Sequence, residues 1–368
     1  MMIKKIFRNA LVLIFAGHAL ASQAQMVAGQ ERSTPASSSE VEKLAVQITD
    51  RTDTEQEKAD AIYSWVAKNI YYDYLGVENV TLGFESADVV GEALAKRKGV
   101  CQHYAELFHA LAVESGLTSI VVFGYTKQQG KIDKVPHAWN ALMIDSAWYL
   151  FDPTWGSGYI MGERYQKDFT EKYFMVQPEV MIESHMPFDP LFQFLEYPVG
   201  HNEFKRRKPS DSSLRLDYKN EIRRYLNLDE ETQLAESMQR VEQFGIANSM
   251  VRGYYSNLNR RHEVFIANRQ IDLHNEAIKK LNELVNEYNL YVADMNARAG
   301  RFPKDTQKIE VQLENMENKA EETMAIFEQV DAPTKLAQTL AKNMENLEKL
   351  LAQVRKEQER LRKYKAGN

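Results

Sequence analysis

Lys98-Gly99-Val100-Cys101-Gln102-His103-Tyr104-Ala105 is the stretch on which the reading of this chain turns. Gly99 permits a sharp backbone approach, and Cys101 then falls in the first turn of a helix. Ala105, Phe108 and Ala112 follow at the spacing of one buried helical face, and the pattern stops at Gly116. A thiol at a helix N-terminus meets free backbone N–H groups and the positive helix end, which together favour the thiolate. Taken alone, a buried cysteine is more often an inert structural thiol. The partners further along the chain reverse that balance.

Two strand-like runs, His137 to Ile144 and Trp148 to Phe151, flank Asp145-Ser146 and read as a hairpin. With Asp145-Ser146 as a two-residue turn, Ile144 faces Ala147, Trp139 faces Asp152 and His137 faces Thr154. His137 and Asp152 then lie on one sheet face as diagonal neighbours, about 7–8 Å apart at the backbone, a gap their side chains can close. A three-residue loop would put them on opposite faces, so the turn decides the geometry. In this arrangement Cys101 is the nucleophile, His137 the base, and Asp152 the group that orients the imidazole. The Cys101 backbone N–H is the first candidate oxyanion donor, and Gln102, by backbone or side chain, the second.

Three ordered blocks carry a resemblance: Gly99-Val100-Cys101, His137-Ala138-Trp139-Asn140, and Trp148-Tyr149-Leu150-Phe151-Asp152-Pro153-Thr154-Trp155. They are similar to the signature blocks of the transglutaminase-like superfamily. The helix with Trp65, Asn69, Ile70 and Tyr72 resembles that family's stretch before the nucleophile. His185-Met186-Pro187, Asp189-Pro190, Phe192 and Gln193 resemble the end of its kyphoscoliosis-peptidase and cytokinesis-associated branch, which tends to carry Trp where this chain has Phe192. The resemblance covers residues 41 to about 197. It implies a papain-like cysteine core with a Cys-His-Asp triad, and it implies that Trp139, more than Trp148 or Trp155, lines an acyl tunnel. Some members of the branch act as scaffolds.

Around this core the chain is organised in four parts. Lys4, Lys5 and Arg8, the apolar run Ala10 to Ala16 and Ala19-Leu20-Ala21 read as a cleaved secretory signal over residues 1–21. Residues 22–40 are a flexible lead-in, and 41–200 the catalytic domain. Lys205-Arg206-Arg207-Lys208 marks the boundary before a helical domain at 209–368. Within the catalytic domain Thr54 caps a helix whose Ala59, Ile62, Tyr63, Val66 and Ile70 form one face, and Ile120 to Tyr125 is a strand ending near a Gln129-Gly130 turn. Helices first and an antiparallel sheet after make an α+β class. The tail carries apolar steps of three and four in three runs. The first is Val264, Ala267, Ile271, His274, Ile278, Leu281, Val285, Tyr288, Val292 and Met295. The second is Ile309, Leu313, Met316, Ala320, Thr323, Phe327 and Val330, and the third Leu336, Leu340, Asn343, Leu347, Leu350, Val354 and Leu361. Breaks at Gly300, Pro303 and Pro333 predict an all-α antiparallel bundle of coiled-coil type, with an intermolecular coiled coil as the alternative. His274 on a seam reads as a core polar group rather than a ligand.

The formal charge of −6 is mild and mixed in sign, which gives no electrostatic case for nucleic acid. No run in the mature chain is apolar for long enough to span a bilayer. The single cysteine excludes an internal disulfide even in a secreted or periplasmic setting. His103, His109 and His185 show no metal-ligand spacing, and no Asp-rich calcium loop is present, so neither metal nor cofactor is expected. The expectation is an exported thiol enzyme acting on amide or peptide bonds of a protein or peptide substrate through a thioester, hydrolysis ahead of crosslinking. The alternative is a non-catalytic envelope scaffold that binds a protein partner through the helical tail.

Overall fold

The computed structural model describes residues 36–79, 88–162, 164–206, 215–331 and 334–367. The expected signal segment, most of the lead-in, and Arg207 to Pro209 of the expected boundary lie outside these residues. The described chain is an α+β unit followed by a long helical part, and it divides into two compact units at Glu263/Val264.

The first unit opens with α1 (Ala36–Thr49) and α2 (Glu55–Asn69). Thr54 caps α2 through a reciprocal pair: the Glu57 N–H donates to Thr54 Oγ1 at 3.2 Å, and the Thr54 N–H donates to Glu57 Oε2 at 3.0 Å. Ala59, Ile62, Tyr63, Val66 and Ile70 are buried, as their spacing predicts. Then come β1 (Tyr71–Tyr72), α3 (Val89–Lys96), β2 (Lys98–Gly99) and α4 (Cys101–Glu114). Tyr72 pairs with Gly99 in a short parallel ladder that steers the chain into α4. A side chain at position 99 would meet His103: a Cβ there lies 2.4 Å from the His103 Cβ. Only glycine leaves room for the helix to begin at Cys101.

The sheet follows as β3 (Thr118–Gln128), β4 (Lys131–Ile144), β5 (Ala147–Phe151) and the short β8 (His185–Pro187), in spatial order β5-β4-β3-β8 and antiparallel throughout. Asp145 and Ser146 both have positive φ, 49° and 67°, so they form the two-residue turn with the twist a hairpin needs, and Ile144 pairs with Ala147. Gln129-Gly130 makes the equivalent turn between β3 and β4. Leu142 and Ile144 join the helices α1, α2 and α4 in one core, and Trp139 and Ala141 join Ile120, Val122 and Leu150 in another. Between β5 and β8 lie α5 (Pro153–Ser157), the hairpin of β6 (Gly158–Met161) and β7 (Arg164–Lys167), and α6 (Pro178–Met181). Thr154 therefore sits in a helix and not opposite His137. Pro153 cannot donate to a ladder, so β5 stops at Phe151 and the chain turns.

Helices α7 (His201–Arg206), α8 (Tyr218–Tyr225) and α9 (Glu230–Phe244) belong to this same unit. The fully buried Asp189 holds α9 by accepting from Arg240 Nη2 at 2.7 Å and Ser237 Oγ at 2.9 Å. The long α10 starts here (Ser249–Ala297), and in the second unit its later part packs with α11 (Gln307–Phe327) and α12 (Thr334–Gly367). Glu317 accepts from Arg355 and Glu310 from Lys365, so α11 and α12 run antiparallel. The α11 seam is buried at Ile309, Leu313, Met316, Ala320, Thr323 and Phe327, and in α12 Asn343, Leu347, Leu350, Val354 and Leu361 are buried. On α10 the buried stripe differs from the expected one. It follows His274, Ala277, Leu281, Leu284, Tyr291 and Met295, while Ile278, Val285 and Val292 flank it and Val264 is exposed. Among the described residues no helix is long and apolar enough to cross a membrane.

Candidate active site

The start of α4, the middle of β4 and the first turn of α5 converge on one cavity of about 610 Å³. Cys101, in the first turn of α4, is only 3% exposed yet lines this cavity together with His137. Its N–H has no helical acceptor, because it is one of the four donors that a helix N-terminus leaves over. Asn140 Nδ2 donates to the Ala105 carbonyl at 2.9 Å and ties β4 to α4 one turn below the thiol. The histidine strand is thereby held against the cysteine helix.

Asp152 caps α5. Its Oδ1 accepts from the Thr154 N–H at 2.9 Å and the Trp155 N–H at 3.0 Å, which leaves Oδ2 aimed at His137 Nε2, 2.8 Å away. The carboxylate is wholly buried. Burial alone would raise its pKa, but the His137 charge and the hydrogen bonds from His137 and His185 outweigh this and hold it well below the usual carboxylate range. Burial would likewise lower the pKa of His137. The Asp152 charge and bond, with the Cys101 sulphur beside the ring, overcome it and bring His137 to about 10. The imidazole is thus held in its charged form by a buried counter-ion on one side, with the Cys101 sulphur on the other.

Of the five residues expected at the site, Cys101, His137 and Asp152 come together as their spacing predicts. Gln102 and Trp139 are not among the residues lining the cavity. Gln102 lies one residue further round α4, with its side chain beside Glu106. Trp139 shares the His137 face but packs in the core behind it, stacked at 6.0 Å between centroids, with its ring over Gly124, where any Cβ would come within 2.5 Å. Its Nε1 has no acceptor among the described residues. Trp148 packs on Phe194. The cavity wall is instead built from Trp155, Tyr72, Tyr165 and Tyr173.

One residue went unassigned in the sequence. His185, on β8, places Nε2 3.1 Å from Asp152 Oδ2, so a single carboxylate oxygen serves two histidines. The signal is the run His185-Met186-Pro187, whose spacing offers no metal-ligand pattern and does not by itself point to Asp152. The ligand-type atoms of His137, Asp152 and His185 lie within 4.8 Å of one another, and the two imidazole contacts to Oδ2 have hydrogen-bond lengths. His103 and His109 serve the helix and sheet: His103 Nδ1 accepts from the Val100 N–H, and His109 Nδ1 bonds Ser119 Oγ.

Residues 42–153 match the family model of the transglutaminase-like superfamily, a span that contains Cys101, His137 and Asp152. This segment is a transglutaminase-like domain. The chain is similar to human kyphoscoliosis peptidase, 29% identical over 174 residues, which cover 45% of this chain and 26% of that one. It is also similar to Hillarin of Drosophila melanogaster, 23% identical over 185 residues, 44% of this chain and 22% of that one. The chain thus spans about a quarter of the length of these curated relatives. Among solved structures, a candidate cysteine protease from Cytophaga hutchinsonii aligns at 25% identity with a TM-score of 0.27, over 32% of this chain and 37% of that one. A structure described as a TGase aligns at 20% identity with a TM-score of 0.29, over 42% of each chain.

Proposed function

We propose that the transglutaminase-like domain is a cysteine-dependent enzyme that cleaves amide or peptide bonds through a thioester. The observation that carries the reading is the 2.8 Å pair of a fully buried Asp152 with His137, which lines the same cavity as Cys101. Cys101 gives its proton to His137 ahead of substrate, and the thiolate of the resulting ion pair attacks the substrate carbonyl carbon. The Cys101 N–H is placed to meet the oxygen on which charge develops. His137 then returns the proton to the leaving amine as the C–N bond breaks, and a thioester remains. A second nucleophile, activated by His137, attacks the thioester and restores the thiol. Water gives hydrolysis and an amine gives transfer. Hydrolysis is our reading, because among the described residues no element of the cavity is arranged to keep water out. The substrate is a protein or peptide; the basic and apolar run over residues 1–21 supports export, and the apolar runs of the helical unit support a docking role toward a protein partner.

The test is to incubate the purified protein with unfolded protein substrate in ¹⁸O-labelled water, with and without a primary amine such as dansylcadaverine. The expected result is Cys101-dependent incorporation of ¹⁸O that the amine leaves unchanged. Amine incorporation in place of ¹⁸O would make the enzyme a transferase, and identical behaviour of Cys101→Ala would remove catalysis from its function.

A further inference from the structure

Asp152 has four acceptor sites and all four are filled. Two are taken by backbone N–H groups of Thr154 and Trp155, one by His137, and the last by His185. We propose that His185 is a positioning residue of the active centre: a fixed N–H donor that locks the triad carboxylate in the orientation His137 requires. This rests on the reading of Cys101, His137 and Asp152 as the reacting group.

An ionised carboxylate is acceptor-only, so both imidazoles that meet Oδ2 must present an N–H to it. On His185 that nitrogen is Nε2, while Nδ1 lies 2.8 Å from Ser184 Oγ, whose hydroxyl can donate to it. With that hydroxyl donating to Nδ1 at 2.8 Å rather than to the Met181 carbonyl at 3.5 Å, Ser184 and Asp152 together specify one neutral tautomer. The ring cannot easily leave this pose. It is fully buried, it is held in β8 by the pairing of His185 with Thr126, and it packs at 4.5 Å from Trp155, edge-on at 5.1 Å from Trp139 and 6.1 Å from Tyr173.

The titratable groups around His185 agree with a neutral donor. Burial pushes its pKa down most; the bond and charge of Asp152 and the more distant Asp133 pull it up; and the charge of His137, on β4, opposes a second cation. Two histidines on one carboxylate oxygen thus take different parts: His137 carries the charge and His185 stays neutral. Its Nδ1 faces Ser184, and His185 is not among the residues lining the cavity, so it is not a rival base. Its contribution is to occupy the second lone pair of Oδ2. Without that donor the carboxylate gains freedom to turn about its backbone-held Oδ1, and its ionised form loses a stabilising bond.

The same three residues have the composition of a metal site, and the test separates that reading. Alkylation of Cys101 by iodoacetamide is followed from pH 4 to 9 in the wild type, His185→Phe and His185→Gln, with unfolding curves alongside. Phenylalanine keeps the bulk and removes the donor, whereas glutamine carries an amide N–H that can reach the former Nε2 position. The expected result is a loss of tenfold or more at pH 7 in His185→Phe, with the acid limb moved to higher pH, and recovery to within about threefold in His185→Gln. In ¹⁵N spectra of the wild type, His185 should hold the Nε2–H neutral tautomer from pH 5 to 8. Identical profiles in the wild type and His185→Phe would overturn the proposal. Equal losses in both folded variants, or 1:1 cobalt(II) binding that His185→Phe abolishes, would do the same. If the wild-type thiol behaves as an ordinary one, the enzyme reading falls, and the tautomer measurement still reports whether His185 serves Asp152.

Discussion

At the residue scale, charge is stored before any substrate arrives. Asp152 stays ionised in a dry site because four donors surround it, and that charge raises His137 to about 10. Asp152→Asn keeps the shape and removes the charge. Burial is then opposed only by the Cys101 sulphur beside the ring, the imidazolium is lost near neutral pH, and alkylation of Cys101 at pH 7 should fall by roughly 10³–10⁴-fold. A loss of less than tenfold would show that His137 does not depend on Asp152. The positions of Cys101, His137 and Asp152 were legible in the sequence because each sits where local rules are strong: a helix start after Gly99, a hairpin strand, and a strand end before Pro153. His185 was not assigned. It lies 33 residues beyond Asp152, and β8 comes to Asp152 only through its pairing with β3, a long-range contact that spacing does not encode. Trp139 was misplaced for a related reason. Period two gives its face correctly, but not whether that face at that depth opens on a cavity or on a core.

At the element scale the helices and turns followed from their own residues. The Thr54–Glu57 capping box, the Gly99 entry to α4, and the Asp145-Ser146 turn all formed as read. The turn matters most, since a three-residue loop would have sent His137 and Asp152 to opposite faces. The α10 seam was read with less success. Ile278, Val285 and Val292 are apolar and spaced at seven, but an equally regular set, Ala277, Leu284 and Tyr291, lies one residue earlier and is the one buried. When two apolar heptad positions are adjacent, packing of the neighbouring helices decides which faces inward. The distinction is measurable. Leu284, with no exposure, should cost about 2–5 kcal/mol on truncation to Ala in urea unfolding. Val264→Ala, at a residue 45% exposed, should stay within about 0.5 kcal/mol. Equal costs at the two sites would contradict the buried stripe described for α10.

At the scale of the whole molecule, the buried pair couples stability to pH. His137 is raised from an ordinary 6.5 to about 10, so its contribution is complete below pH 6.5 and is lost as pH rises through about 10. Asp152 is lowered from an ordinary 3.8, so its contribution is complete above that value and is lost as pH falls below it. Both act in full only between about pH 3.8 and 6.5. The Tm difference between wild type and Asp152→Asn should be widest in that window and narrow toward pH 10; widening over the same range would contradict the assigned shifts. Fold class was readable at this scale, because helices preceding an antiparallel sheet and long heptad runs after it are both strong patterns. The grouping of Tyr218–Tyr225 and Glu230–Phe244 with the sheet unit was not, since it depends on contacts such as Arg240 with Asp189. The central claim, an activated thiol, is tested most directly by alkylating Cys101 with limiting iodoacetamide from pH 4 to 9 and following the mass, with His137→Ala in parallel. The account predicts a fast reaction that persists well below pH 8 and is slowed by loss of His137. A rate that only rises near pH 8.5 and is indifferent to His137, or no reaction before denaturation, would contradict it.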